Sequence, residues 1–267
     1  MKRRLFINRS SILAGGLLLT GIPSLGSNVL INNEASLKGK KILFVWGGWN
    51  GHEPDKCRDI FVPWMEDAGA KLTVSDTLDA YLNKDLMSSL DLIVQVWTMG
   101  QITGAQEGAL LDTVKRGVGL AGWHGGLGDS FRNNTEYQFM VGGQWVAHPG
   151  GVIDYSVQIS DKHDPITSDL SDFQMQSEQY YMHVDPNVKV LATTTFNGKH
   201  AEWIDGSIIP VVWKKYYGKG RVFYSSLGHV AKDFDVPEAL EIMKRGIIWA
   251  SESKYSSNEE WIKPVYK

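Results

Sequence analysis

Three apolar runs, each leading into a loop of small residues, constrain the fold of this chain most strongly. Lys41–Trp46, Leu92–Trp97 and Val118–Trp123 consist largely of apolar residues, a pattern typical of strands buried on both faces of a parallel sheet. Apolar residues recur at helical spacing over 54–69 and 103–116. Strands that alternate with helices in this way predict an α/β fold with a doubly wound, mainly parallel sheet and right-handed crossovers.

The second half of the chain has a different character. Lys71–Ser75 completes the strands of the first half, whereas short β-rich runs dominate after residue 150. Gly218-Lys219-Gly220 joins the last two runs as a hairpin, and Pro237–Ala250 has the pattern of a final helix. We therefore expect antiparallel strands to be added to the sheet, at Val152–Ile159, Val188–Thr194, Ile208–Trp213 and Arg221–Ser225.

The first 35 residues indicate a twin-arginine-type signal peptide and linker. Arg3 and Arg4 precede the uncharged apolar stretch Ser11–Leu19, and small residues follow it. That stretch is too short for a comfortable membrane span, although an uncleaved leader would still tether the protein. We predict an exported, periplasmic protein with an α/β domain over 38–252 and a polar tail over 253–267.

Composition and charge narrow the possible partners. The chain is 43% hydrophobic and 21% charged, as in soluble globular proteins, and its formal net charge is −3. Loss of the leader's four cations would bring the charge to about −7, which argues against nucleic acid or anionic membrane as a partner. Cys57 is the single cysteine, so no intrachain disulfide can form. The oligomeric state is left open.

His124 occupies the most suggestive turn in the sequence. The strand that ends in Gly122-Trp123 runs into His124, which Gly125 and Gly126 follow, and glycines permit a tight turn that exposes one side chain above the sheet. Hydrolases carry serine or cysteine at such an apex. A histidine there indicates a general acid or base, or a metal ligand. The alternative is that the glycines simply end the strand.

Four further side chains follow strand ends or lie in glycine-bounded loops: His52, His148, Glu178 and His229. Ligands of open α/β sheets bind beyond the carboxyl ends of the strands, so we expect these groups to converge with His124. We assign catalysis to His124, His148, Glu178 and His229. His124, His148 and His229 can bind a divalent metal such as zinc, with water in the open position. A proton-transfer set without metal is the alternative.

Tryptophan is abundant, with ten residues, and several tryptophans lie at or just beyond strand ends. Aromatic rings suit stacking against the C–H face of a sugar. We assign the substrate pocket to Trp49, His52, Tyr181 and Trp213. His163, His183 and His200 lie in no comparable motif and are left outside the site.

Five motifs together resemble the trehalose-utilisation (ThuA-like) family over Lys40 to Ser251. They are Gly-Leu-Ala-Gly-Trp-His124, Gly142-Gly143-Gln-Trp-Val-Ala-His148-Pro149, His163-Asp-Pro-Ile-Thr167, Glu178-Gln-Tyr-Tyr181 and Gly218-Lys-Gly-Arg-Val-Phe-Tyr-Ser-Ser-Leu-Gly-His229. The resemblance implies the flavodoxin-like fold of class I glutamine amidotransferases. It places His124 where those enzymes have their nucleophilic cysteine, and His229 near their catalytic histidine.

The missing thiol argues against glutamine hydrolysis, because a covalent acyl intermediate needs a nucleophile at that turn. Cys57 lies in the first predicted helix and cannot replace it. The chain also departs from the family pattern at the Asp-Glu pair, which is Ser177-Glu178 here.

The resemblance implies a small-molecule carbohydrate as substrate, either a glycoside or a 3-keto-glycoside, and no nucleotide cofactor. A 3-keto group acidifies the C2 proton, so a base can promote isomerisation, elimination or hydrolysis. Glu178 or His148 would be the base, while His124 and His229 would hold a metal or polarise the carbonyl. A non-catalytic sugar-binding protein is the main alternative; a serine or cysteine hydrolase is a third, which the nucleophile-free turn disfavours.

Overall fold

A computed structural model describes residues 36–258 of the chain. The predicted signal peptide and most of the polar tail lie outside the described residues. The described part contains eleven strands, which are Lys41–Gly48 (β1), Lys71–Ser75 (β2), Leu92–Thr98 (β3), Gly119–Trp123 (β4), Gly143–Ala147 (β5), Val152–Ile159 (β6), Phe173–Glu178 (β7), Tyr181–Val184 (β8), Lys189–Thr195 (β9), Ile208–Tyr217 (β10) and Gly220–Ser225 (β11).

Six α-helices connect or flank these strands. They are Pro54–Asp67 (α1), Lys84–Ser89 (α2), Gly104–Lys115 (α3), His124–Gly128 (α4), Thr135–Val141 (α5) and Pro237–Ser251 (α6). Thr103 caps the start of α3, because its side chain accepts the backbone N–H of Gln106. Pro63 lies inside α1 and does not divide it. Within the described residues, no helix is both long and apolar enough to span a membrane.

Nine of the strands form one sheet in the order β2-β1-β3-β4-β11-β10-β9-β6-β7. The first five strands are parallel to one another, and the remaining pairings are antiparallel. This arrangement confirms a mixed α/β fold in which antiparallel strands from the second half extend a parallel sheet. A separate pair, β5 and β8, is antiparallel.

The core lies on both faces of the parallel strands. Ile42 and Phe44 of β1 belong to one apolar cluster, with α1 and α6, whereas the alternate residues Leu43 and Val45 belong to another, with α3 and α5. Successive side chains of a strand point to opposite faces, so helices cover both sides. All four of these side chains are fully buried.

The sequence patterns did not predict β5, β7 or β8. β7 alternates apolar and polar residues, Phe173-Gln-Met175-Gln, and this alternation is the signal of a half-buried strand. Alternation of direction across the antiparallel strands makes β7 run the same way as β4 and β11. Its last residue, Glu178, therefore lies at the same edge of the sheet as the ends of the parallel strands.

Candidate active site

His124 begins a short helix directly after β4, in a backbone conformation that is rare for a residue with a side chain. Its φ is 45°, in the left-handed region, where such residues are strained. The next residue has to be glycine, because a Cβ on Gly125 would lie 2.5 Å from the ring of His52. The glycine after the turn therefore permits two imidazoles to pack side by side, with ring centroids 4.6 Å apart.

Four side chains converge over the carboxyl edge of the sheet. His52, His124, Glu178 and His229 each offer one ligand atom, and these atoms all lie within 4.8 Å of one another. We call these four residues the histidine–glutamate cluster. Three of its members are buried and His229 is partly buried. The three histidines follow β1, β4 and β11 along the chain, and Glu178 ends β7. The antiparallel half of the sheet must therefore curl back to bring Glu178 to His124.

The tautomer of His124 follows from its hydrogen bond to the backbone. Nδ1 lies 2.8 Å from the carbonyl oxygen of Ser226, and because a carbonyl only accepts, Nδ1 must donate. In the neutral ring Nε2 then carries a lone pair, and it lies 3.1 Å from Oε2 of Glu178. Two acceptors face each other in a buried site unless a proton or a metal cation lies between them. The arrangement therefore requires a proton or a metal cation between Nε2 of His124 and Oε2 of Glu178.

The other two imidazoles are also held in place. His52 Nδ1 is hydrogen-bonded to Thr98 Oγ1 at 2.9 Å, which directs Nε2 toward Glu178 Oε2, 3.9 Å away. His229 Nδ1 lies 3.3 Å from the same oxygen, yet it is buried without a hydrogen-bond partner among the described residues. Buried polar atoms without a partner are rare in folded proteins, so this nitrogen is available to bind a cation together with the other two imidazoles.

Electrostatics favour neutral imidazoles around a charged carboxylate. Burial, with the neighbouring His124 and His229, lowers the pKa of His52 to about 2. Burial also lowers the pKa of His124, although its contacts with Glu178 and Ser226 oppose the shift. Burial alone would raise the pKa of Glu178, but contacts with His124 and His229 outweigh it and hold that pKa well below its usual range. The lowered pKa values of His52 and His124 favour neutral nitrogen ligands, and that of Glu178 favours an anionic oxygen.

This donor set fits a borderline divalent cation. Imidazole nitrogens and one carboxylate are ligands that zinc and its first-row neighbours accept. The hydrogen bonds from His52 and His124 to Thr98 and Ser226 fix ring orientation, as partners of metal-bound histidines do. His52, His124 and His229 would supply the nitrogens, and Glu178 Oε2 faces all three.

His148 lies at the rim of the cluster. Its Nε2 is 3.7 Å from Oε1 of Glu178, the carboxylate oxygen that faces away from the other imidazoles, and its side chain is 36% exposed. The ring packs near Trp145 and Tyr180, with centroids 5.6 and 6.2 Å away. The structure thus places His52, which the sequence assigned to substrate, among the converging ligands, and places His148 at the solvent side.

The residues assigned to the substrate pocket separate in the structure. Trp49 is 47% exposed and its ring packs edge-on against His52, with centroids 4.7 Å apart. Tyr181 packs against Phe196, with ring centroids 5.6 Å apart. Trp213 is fully buried, and its indole N–H donates to the carbonyl of Val141. The expectation that Trp213 lines the pocket is therefore corrected: it is a core residue whose polar atom is already satisfied.

Two residues of the site were not singled out from the sequence. Tyr180 stacks on His124 at a centroid distance of 3.9 Å, and it lies two positions after Glu178. Asp233 accepts the backbone N–H of His229 through Oδ2 at 2.9 Å. Tyr180 lies inside the motif Glu178-Gln-Tyr-Tyr181, and Asp233 lies four positions after His229. These positions were the available signals, but neither specifies the contact.

Comparisons with known proteins agree with the fold. A family model described as ThuA, trehalose utilisation, matches residues 41–250. A search of curated proteins found no significant match.

Solved structures of similar shape include two ThuA-like proteins. One, from Bacteroides uniformis, is 16% identical with a TM-score of 0.66, over 83% of this chain and 94% of that chain. Another, from Parabacteroides merdae, is 16% identical with a TM-score of 0.64, over 83% and 93%. A β-galactosidase from Bacillus circulans is 15% identical with a TM-score of 0.50, over 86% of this chain and 32% of that chain. At these identities the likeness concerns the fold alone.

Proposed function

Because the chain belongs to the trehalose-utilisation (ThuA) family, we propose that it is a metal-assisted enzyme that acts on glycosides oxidised at C3. The observation that carries the proposal is the histidine–glutamate cluster, in which the lone pair of His124 Nε2 faces the carboxylate of Glu178 at 3.1 Å. The family description supports a carbohydrate as substrate. The order β2-β1-β3-β4 of the parallel strands also supports the flavodoxin-like topology implied by the resemblance.

His52, His124 and His229 are proposed to hold the cation, with Glu178 Oε2 as a further ligand. A divalent cation bound there supplies Lewis-acid polarisation of a carbonyl oxygen, such as that at C3 of a keto-sugar. The protein contributes rigidity before substrate arrives, because Thr98 and Ser226 fix the rings of His52 and His124 and Asp233 holds the backbone of His229.

His148 is proposed as the general base. It is the partly exposed imidazole next to the cluster, and because its Nδ1 is buried, Nε2 is the nitrogen that would accept a proton from a substrate in the mouth of the site. Glu178 connects it to the ligand set, since Oε1 faces His148 while Oε2 faces the other three rings. A carboxylate beside an imidazole stabilises the protonated form that develops when the base accepts a proton.

Elimination is the reaction that this arrangement supports best. His148 removes the proton on C2, the electron pair forms the C1–C2 double bond, and the C1–O glycosidic bond breaks. The departing oxygen takes up a proton and leaves as an alcohol, so the products are an unsaturated 3-keto-sugar and the free aglycone. No oxidant or reductant is consumed, because the ketone is already present in the substrate.

Metal analysis and turnover test this function together. We expect the purified protein to contain about one divalent metal ion per chain, and to release the aglycone from a 3-keto-glucoside but not from the parent glucoside. His148→Ala should lower kcat by about 10²–10⁴-fold, the usual contribution of a general base, and leave the metal content unchanged. A metal-loaded protein that fails to convert 3-keto-glycosides of either anomer would contradict the proposal.

A further inference from the structure

A groove adjoins the cluster on the side of His229. Its volume is about 470 Å³, and His229 lines it together with residues of the β6–β7 hairpin and of the segment 230–236. Pockets for small molecules have volumes of about 300–1,000 Å³, so the groove can hold part of a substrate. His229 belongs to both the groove and the cluster, so a molecule bound at the cluster can extend into the groove without a break.

The walls of the groove are mainly apolar. Val152, Val230 and Val236 face it. Val152 is 56% exposed, although it is the register partner of Glu178 across the hairpin. A solvent-exposed valine next to a buried carboxylate gains free energy when an apolar group covers it.

Polar groups form the smaller part of the groove's surface. Besides His229, its polar residues are the exposed Gln176, Lys232 and Asp235 and the buried Asp233. Oδ2 of Asp233 already accepts hydrogen bonds from Ser177 and from the backbone of His229.

The apolar part of these walls suits an apolar group better than a second sugar ring. A sugar that leaves water must recover hydrogen bonds for several hydroxyl groups, and the three valine side chains provide none. An aromatic or aliphatic group loses little on leaving water and gains from contact with the valines. With the sugar at the cluster, as in the proposed function, the groove beside Glu178 and His229 would take the group that leaves when the C1–O bond breaks.

We infer that this groove binds an apolar aglycone, and that the substrates are glycosides of aromatic or aliphatic alcohols. The inference rests on the proposed function for the position of the sugar at the cluster. Val152 is then a residue that determines specificity, since it lies at the junction of the cluster and the groove.

Binding of two simple glucosides tests the inference without any need for turnover. We expect calorimetry to show that phenyl glucoside binds about tenfold more tightly than methyl glucoside of the same anomer. Val152→Thr keeps the shape but adds a hydroxyl, and should weaken phenyl glucoside binding by about fourfold, as expected for the loss of one buried methyl contact. Val152→Trp fills the groove and should abolish the preference, with methyl glucoside unaffected.

Val74→Thr is the matched control, because Val74 is also an exposed strand valine, 42% exposed, and lies on β2. It should leave both affinities unchanged. Equal affinity of the wild-type protein for the two glucosides, absence of binding by either, or a preference that survives both Val152 variants would overturn the inference. A phenyl preference without conversion of 3-keto-glycosides would instead contradict the proposed function and leave this inference standing.

Discussion

Ser177 donates a hydrogen bond from Oγ to Oδ2 of Asp233 over 2.5 Å. The same oxygen accepts the backbone N–H of His229 at 2.9 Å, so Asp233 joins the residue before Glu178 to one of the converging histidines. An aspartate at position 177, as in the family's Asp-Glu pair, would place a second carboxylate beside Asp233. The serine that replaces the family's aspartate at position 177 therefore suits the carboxylate of Asp233.

Substitution of Ser177 and Asp233, singly and together, tests this hydrogen bond. Ser177→Ala should lower the free energy of unfolding by about 1–3 kcal/mol, because it removes one donor from a buried carboxylate. Ser177→Asp should cost more, since two carboxylates then face each other. The double variant Ser177→Asp/Asp233→Ser restores one hydroxyl and one carboxylate, and should recover most of the loss. Urea unfolding measures all three, and a Ser177→Asp protein as stable as Ser177→Ala would refute the pairing.

Measured zinc affinity should distinguish the residues of the histidine–glutamate cluster from His148 at its rim. His124→Ala removes a direct ligand, so we expect the affinity to fall by about 100-fold or more, beyond the roughly 10–100-fold effect of residues that only orient ligands. His148→Ala should change it by less than about threefold, because His148 lies outside the four converging ligands. Competition with a chelating dye measures the affinities.

His183→Ala serves as the histidine control for that experiment, since His183 is exposed on β8. Circular dichroism of each variant checks that the fold is retained. Equal losses in His124→Ala and His148→Ala would mean that the metal is held by a different set of residues.

Much of this site could be anticipated from sequence because strand ends can be recognised locally. The apolar runs that became β1, β4 and β11 end in glycine-containing loops, and parallel strands bring their carboxyl ends to one edge. His52, His124 and His229 therefore meet without any motif that links them. Glu178 was expected at the same edge even though β7 was not predicted.

Contacts that depend on curvature and on side-chain direction could not be anticipated. The curl of the antiparallel strands brings Glu178 to His124, and no local pattern encodes it. Trp213 has the same type of position in sequence as Trp49, at the end of an apolar run, but the bond to Val141 keeps it in the core. The sequence assigned His148 to the metal and His52 to the substrate, whereas the structure places His52 in the cluster and His148 at its rim. This difference likewise depends on ring orientation, which Thr98 sets for His52.

The twin-arginine assignment leads to a prediction that concerns residues outside the described part. Replacement of Arg3 and Arg4 by lysine keeps the charge but removes the guanidinium pair on which the signal is defined. We expect the full chain, expressed in a bacterium with twin-arginine export, to accumulate in the cytoplasm after this change and in the periplasm without it. Cell fractionation measures the distribution, and periplasmic accumulation of the Lys-Lys variant would contradict the assignment.

Cys57 should be inert in the folded protein. Its side chain is fully buried, and burial raises the pKa of the thiol to about 12, so almost no thiolate is present near neutral pH. We expect Ellman's reagent to modify the native protein at least about 100-fold more slowly than the urea-unfolded chain, in which one thiol should react. Rapid modification of native protein would reopen the possibility of a thiol nucleophile.

Asp164 stabilises the antiparallel strands β9 and β10 through contacts with a lysine on each. It is 2% exposed and its Oδ2 accepts hydrogen bonds from Lys189 at 2.8 Å and contacts Lys214 at 2.7 Å. The motif around His163 that resembles the family thus contributes a buried ion pair. Asp164→Asn removes the charge opposite the two lysines and should lower the free energy of unfolding by about 3–5 kcal/mol.

The pH dependence of this loss gives a sharper test. Burial alone would raise the pKa of Asp164, but hydrogen bonds from Lys189 and Lys214 outweigh it and lower the pKa below its ordinary value, which is about 3.9. The unfolded chain therefore binds the proton more readily, and the stabilisation is complete above about pH 5 and declines as pH falls through the folded pKa. Urea unfolding of wild type and Asp164→Asn should give a constant difference in the free energy of unfolding above about pH 5, and this difference should shrink toward pH 3.

Asp59→Asn is the control, because the Asp59 side chain is 65% exposed beside Arg58. It should change the free energy of unfolding by less than about 1 kcal/mol at every pH. A pH-independent effect of Asp164→Asn would show that the carboxylate is not stabilised by the lysines.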